Sequence, residues 1–388
     1  MKWRNKGHEF DEIGKNFVNK MIYIYGAGGV GNALFEKLYF CKDKVAGFID
    51  NFKAGTIINE KKVIDIEHFI ELDCKNNIVI VAGSDFNMSL FSQSLRRAGY
   101  RDGINLFNVY DFEYFYMSLF SIYGCDKLYV PIVGHLVTTK CNLDCKGCLN
   151  FTHVNPIKRH YEYEVLKEDI DKFFSAVDYV GMFSVCGGEP FLYPLLSDVI
   201  AYIGRNYRER ICELRVTTNG TIVPSECLCK TLEKNRVTVY VDDYRKNVSL
   251  ARKKYSSVIN ALKNNDISVV ENDAEYWFMF EKIENCQTQW TGEEQLINHF
   301  NACSMPFVSL HNQKIYQCNY ADYAYESQCY LADVRDYFDI SEWNVGQKME
   351  FQEYVLGYSE RGYCEYCKNC RGYININTKK IEVAEQYL

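Results

Sequence analysis

The chain has 388 residues, room for two or three domains and more than one core. Its formal charge of −7, with no cluster of Lys or Arg, speaks against a nucleic-acid partner. Seventeen cysteines, an odd number gathered in places, suit metal ligation in a reducing compartment better than a disulfide framework, so a cytoplasmic location is expected.

Residues 1–19 form a tail with no apolar run and no small-residue cleavage site, which predicts no secretory signal. The following stretch, MIYIYGAGGVGNALFEKLYFCKDKVAGFIDN, reads as strand, glycine turn, helix and strand. Gly26, Gly28 and Gly31 give GxGxxG at the end of the first strand, and Asp50 closes the second about 20 residues on. Such glycines let backbone N–H groups approach a pyrophosphate at a helix N-terminus. They also let helix and strand pack closely with nothing bound, and both readings stay open. With the strand IVIVAGS, residues 20–108 are expected to form a doubly wound domain holding a possible nucleotide or dinucleotide. YGAGGVG and GFIDN resemble the N-terminal Rossmann-like domains of sugar-nucleotide-modifying acyltransferases and related surface-polysaccharide proteins. Residues 109–133 read as an aromatic connector. Asp111, Glu113, Asp126 and Lys127 interrupt it, so it is not expected to span a membrane.

From Leu136 a second βα series begins, with five or six units predicted up to residue 290. Leu166, Ile170, Phe173, Phe174 and Val177 make a helical stripe. Directly after the strand LVTT comes CNLDCKGCLN, with Cys141, Cys145 and Cys148 at spacings of four and three. Four thiolates usually hold an iron–sulfur cluster. Three leave one iron open, able to bind a small chelating molecule such as an amino acid. The alternative is a zinc knuckle completed by His153.

Together with Gly187-Gly188-Glu189-Pro190 after the next strand, VTTNG at Val216–Gly220 after the third and Asp242 ending the fourth, this loop resembles the radical S-adenosylmethionine (SAM) enzymes. The resemblance implies a partial (β/α)6 barrel, a [4Fe-4S] cluster on the three cysteines and SAM bound through Gly187, Gly188, Glu189, Pro190, Asn219 and Asp242. It also implies reductive cleavage to a 5′-deoxyadenosyl radical that takes hydrogen from a substrate, with an electron donor such as flavodoxin or ferredoxin. Gly147 stands where the family often has an aromatic residue, so Phe151 or Leu149 is expected to cover the adenine instead.

Residues 291–388 are cysteine-rich, with Cys303, Cys318, Cys364, Cys367 and Cys370. They resemble the auxiliary-cluster region of SPASM or twitch radical enzymes. CKNCRG matches the CxxCxG element, which implies Cys303, Cys318, Cys367 and Cys370 as ligands, with Cys364 able to replace Cys367. Gln313 stands where a turn glycine is usual, which points to Asn312 in the left-handed region. A structural zinc is the alternative. The implied activity is oxidation or rearrangement of a small molecule, a carbohydrate, cyclitol or nucleotide-linked sugar. Modification of a ribosomally made peptide and a non-enzymatic iron–sulfur redox carrier or sensor are the alternatives.

Overall fold

The computed structural model describes residues 1–72, 76–280, 292–303, 307–373 and 375–387, so Cys74 and Cys286 lie outside the described residues. The chain divides into two units: Gly7–Pro131, and Met1–Lys6 with Ile132–Leu388.

In the first unit, six strands form one sheet: β1 (Met21–Tyr25), β2 (Val45–Ile49), β3 (Ile57–Ile58), β4 (Lys61–Ile64), β5 (Asn77–Val81) and β6 (Leu106–Asn108), in the order β3-β4-β2-β1-β5-β6. All pairs are parallel except the β3–β4 edge. The apolar run of β1 is buried where both faces are covered, with Ile22, Ile24, Ile78 and Ile80 excluded from solvent. The chain moves from β1 to one side through β2 and returns to the other side at β5, so the order reverses beside the glycine turn. Of residues 109–133, expected as a connector, 109–131 belong to this unit and pack into it through helical turns. The Phe112 side chain is fully buried, and the Phe107 and Tyr116 rings lie 4.6 Å apart.

The second unit is built on an eight-stranded sheet. Five parallel strands follow in chain order: β7 (Tyr129–Thr138), β8 (Tyr179–Gly187), β9 (Ile211–Thr218), β10 (Val237–Asp242) and β11 (Ser268–Asn272). Helices Tyr163–Ala176, Leu196–Asn206, Glu226–Lys234 and Ser249–Lys263 connect them. The first buries the stripe read from the sequence, with Phe174 stacked on Phe183 of β8, ring centroids 5.9 Å apart. Each such side chain contributes about 1.5–3 kcal/mol through burial.

Beyond β11 the chain forms β12 (Trp277–Phe278), which pairs with β16 (Lys380–Ile381) in a separate two-stranded sheet. The sixth parallel strand, β13 (Val308–His311), lies beside β7 rather than β11. It is followed by antiparallel β14 (Lys314–Tyr316) and β15 (Tyr337–Asp339). The β13–β14 hairpin turns on Asn312 and Gln313, at φ +50° and +56°. Two positive φ values are what a tight two-residue hairpin demands, so the expectation for Asn312 extends to Gln313. The Asp169 carboxylate accepts from both turn amides, at 3.0 and 2.6 Å.

Candidate metal and cofactor site

The loop after β7 carries three free thiols, at Cys141, Cys145 and Cys148. Burial pushes the Cys141 and Cys145 thiols up to about 12, so loading with a metal must displace their protons. Each sulfur already has a hydrogen-bond partner. Leu143 N and Asn219 Nδ2 donate to Cys141 Sγ at 3.4 and 3.7 Å. Gln386 Nε2 donates to Cys145 Sγ at 3.0 Å, and Cys148 Sγ lies 3.5 Å from Thr152 Oγ1.

The end of β8 is pressed against this loop. Gly188 N donates to Thr138 O and Glu189 N to Lys140 O, both at 2.8 Å. A Cβ on Gly187 would stand 2.6 Å from Thr138 O, and one on Gly188 2.3 Å from Lys140 O. The glycines therefore permit backbone approach between the two strand ends. Asn150 Nδ2 also donates to Gly187 O.

Glu189 is fully buried and accepts from Asn219 N and Thr218 Oγ1, both at 2.8 Å, and from Phe191 N at 2.9 Å. Burial outweighs these bonds and raises its carboxyl to about 7. A buried carboxylate beside the Cys141 thiol, with no ion-paired cation among the described residues, has the chemistry to receive an ammonium group. Asn219 ties the third strand end to the same loop by donating to Asn142 Oδ1 at 3.0 Å, while Asn142 Nδ2 donates to Thr221 Oγ1 at 2.9 Å. Asp242, half-buried at the end of β10, accepts from Asn272 Nδ2 and Tyr244 OH, each at 2.7 Å, and burial raises its carboxyl.

These donors fit the implied group. The three soft sulfurs share one loop, the glycines let the end of β8 close against it, and the Glu189 carboxylate has no ion-paired cation among the described residues. Among the described residues, no three His, Cys, Asp or Glu side chains are gathered as one ion would hold them. His153, weighed as a fourth zinc ligand, stacks on Tyr387 at 5.4 Å.

Gly147 has φ +65°, and a Cβ there would stand 2.4 Å from Ile381 Cδ1, so an aromatic residue does not fit. Phe151 is buried edge-on against Tyr366 at 5.8 Å, whereas Leu149 is exposed. Cys148, Leu149, Phe151, Met279, Phe280 and Tyr320 line a small hollow beside the loop.

The five C-terminal cysteines are drawn together from three segments. Cys303 ends the helix Glu293–Cys303, and Cys318 caps the helix Asn319–Glu326. Cys364, Cys367 and Cys370 follow successive turns around Glu365–Asn369. Cys370 lies within electrostatic reach of Cys303, Cys318 and Cys367, and burial pushes its thiol up. Cys364 is hydrogen-bonded to Cys367 and buried. Gly372, at φ +85°, turns its N–H onto Cys370 Sγ at 3.2 Å, and Tyr373 N donates to Cys303 Sγ at 3.1 Å.

In the first unit, a Cβ on Gly26 would stand 2.1 Å from Ala82 O, and one on Gly31 1.8 Å from Gly26 O, whereas Gly28 faces open space. Asp50 accepts from Ala27 N at 3.1 Å, and Lys53 Nζ donates to Ala27 O at 2.6 Å. The acid that a dinucleotide fingerprint directs to a ribose is here engaged by the glycine turn itself.

Sequence reasoning missed Gln386, Asn142, Asn150 and Thr218. Gln386 lies 241 positions from Cys145, and no local spacing signals it. The profile described as the Radical SAM superfamily matches residues 136–268, from β7 into β11, so this stretch carries a domain of that superfamily. The family implies a four-iron cluster and SAM. No curated protein matches the chain.

Among solved structures, BtrN in complex with AdoMet and 2-DOIA is 18% identical over 66% of this chain and 97% of its own, with a TM-score of 0.43. Native anSMEcpe with bound AdoMet and Kp18Cys peptide is 13% identical over 66% and 92%, at 0.41. SuiB of Streptococcus suis bound to its precursor peptide SuiA is 15% identical over 49% and 45%, at 0.31. Likenesses at these scores say nothing about substrate. No helix among the described residues is long and apolar enough to cross a membrane.

Proposed function

We propose that Cys141, Cys145 and Cys148 hold a [4Fe-4S] cluster and that Gly187, Gly188, Glu189, Pro190, Asn219 and Asp242 bind SAM. On this reading the protein abstracts hydrogen from an unactivated carbon of a small molecule. The observation that carries it is the junction of three strand ends. The thiol loop, the buried Glu189 carboxylate and Asn219 are hydrogen-bonded into one unit. When bound, the cluster and SAM supply one-electron cleavage and a hydrogen-abstracting carbon radical.

The chain's own groups then have separable tasks. Glu189 receives the methionine ammonium in a water-excluded pocket, where an ion pair is strong. Gly187 and Gly188 let the end of β8 close against the thiol loop, which sets Glu189 beside it. Asp242, held by Asn272 and Tyr244, is positioned to accept from ribose hydroxyls.

We assign the substrate to the face of β9 and β10 on which half-buried Glu213, Arg215, Thr217, Thr238 and Tyr240 alternate with buried apolar residues. Arg215 makes a bidentate pair with Glu213, at 3.0 and 3.1 Å, and lies 3.6 Å over the Tyr240 ring. Oriented donors and acceptors beside a ring face suit a polyhydroxylated ring, which favours a carbohydrate, cyclitol or nucleotide-linked sugar. Cys303, Cys318, Cys367 and Cys370 hold an auxiliary cluster that can accept the electron left on substrate, making the net reaction an oxidation.

The test is anaerobic reconstitution with dithionite and SAM, scored for 5′-deoxyadenosine. The wild type should form it and Cys145→Ala should not. Normal formation by Cys145→Ala would refute the assignment.

A further inference from the structure

The last described residues of the chain lie across the thiol loop. Lys146 N donates to Glu385 O at 2.6 Å and Tyr387 N to Asp144 O at 2.9 Å, so residues 385–387 pair with the loop as a short antiparallel ribbon. Beneath the ribbon, Val383 and Ala384 are buried with Leu143 and Cys145. At its edges, Lys146 meets the Glu385 carboxylate at 2.6 Å, and His153 stacks on Tyr387. At the centre is the Gln386 amide. Its Oε1 accepts from Asp144 N at 2.9 Å. Its Nε2 donates to Ala384 O at 2.7 Å and to Cys145 Sγ at 3.0 Å.

An amide fixed by its oxygen and by one of its two N–H bonds has only the second N–H left to give, and that one points at sulfur. Asparagine is one methylene too short for this reach. A glutamate has no donor to offer.

We propose that Gln386 is a positioning residue of the SAM-binding cluster. Through it, the C-terminal strap donates an N–H···S hydrogen bond to the Cys145 thiolate and so raises the cluster's reduction potential, while Val383 and Ala384 shield the same ligand from water. This deepens the reading above and rests on Cys145 being a cluster ligand. The physical argument concerns charge. Reduction adds an electron to a cluster already bearing thiolate charge, and a donor at one sulfur stabilises the more negative form. The same bond restrains the Cys145 side chain before loading, which favours retention of iron.

The experiment uses the full chain, reconstituted anaerobically, in the Gln386→Glu, Gln386→Leu and Glu385→Gln forms. The EPR signal of the reduced protein that changes when SAM is added belongs to the SAM-binding cluster. Its midpoint potential is followed by redox titration, alongside iron per chain after gel filtration.

Gln386→Glu, which is isosteric and leaves the ribbon's backbone pairing in place, should move the midpoint to a more negative potential. Gln386→Leu should do the same and also lose iron faster on incubation with a chelator. Glu385→Gln, which does not touch sulfur, should leave the midpoint unchanged. A wild-type midpoint in both Gln386 variants would overturn the proposal, as would an equal shift in Glu385→Gln. Should Cys145→Ala retain the SAM-responsive signal, the underlying reading fails instead, whatever the Gln386 variants show.

Discussion

Glu189 concentrates the chemistry of the site in one residue. Its carboxylate is buried, holds three donors and has no ion-paired cation among the described residues. Gln at this position keeps the shape and part of the hydrogen bonding but loses the charge. Glu189→Gln should therefore weaken SAM binding at least tenfold, about 1.4 kcal/mol or more, while iron content stays unchanged. Equilibrium binding to the reconstituted protein checks this, and undiminished affinity would remove Glu189 from the site.

Gln313 offers a test of backbone strain. A side chain at φ +56° sits where a residue with a Cβ is disfavoured, so Gln313→Gly should stabilise the second unit by about 1 kcal/mol, read as a rise in thermal midpoint. No stabilisation would contradict backbone strain at this position, since the Asp169 bonds to the turn amides are kept in the variant.

The two glycine motifs separate packing from binding among the elements. Gly26 and Gly31 are closed in by backbone oxygens and Gly28 is open. Gly26→Ala and Gly31→Ala should each destabilise the first unit by about 1–3 kcal/mol, whereas Gly28→Ala should be nearly neutral in thermal unfolding. A neutral Gly31→Ala would contradict the close approach between helix and strand.

This contrast also marks what could be read from residue order. GxGxxG announced a tight turn but not that Asp50 would bond to it, because a carboxylate's partner is set in three dimensions. In the second unit, apolar periodicity and the positions of CNLDCKGC, GGEP and TNG at successive strand ends made the β7–β11 series legible. The placement of β13 beside β7 was not legible, since sheet order between distant segments leaves no local period. Gln386 was hidden for the same reason, and Gly147 could be read as an absent aromatic but not as a left-handed residue packed under Ile381.

Across the whole molecule, two thiol sets carry different duties in the proposed enzyme. Five cysteines from three C-terminal segments meet around Cys370 and Cys367, apart in sequence from the loop after β7. Reconstituted wild type should hold about eight irons per chain, and Cys318→Ala about four. The variant should still form 5′-deoxyadenosine while losing product. Eight irons remaining after Cys318→Ala would exclude that thiol as a ligand. Zinc in place of the second set of irons would turn the C-terminal region into a structural element.

The claim on which the rest depends is that three thiolates, not four protein donors, hold the first cluster. Low-temperature EPR of the dithionite-reduced protein with and without SAM tests it most directly. The account predicts a four-iron signal that changes on adding SAM and is absent in Cys145→Ala. A spectrum indifferent to SAM, or a site on Cys141, Cys145 and Cys148 that holds zinc, would contradict it.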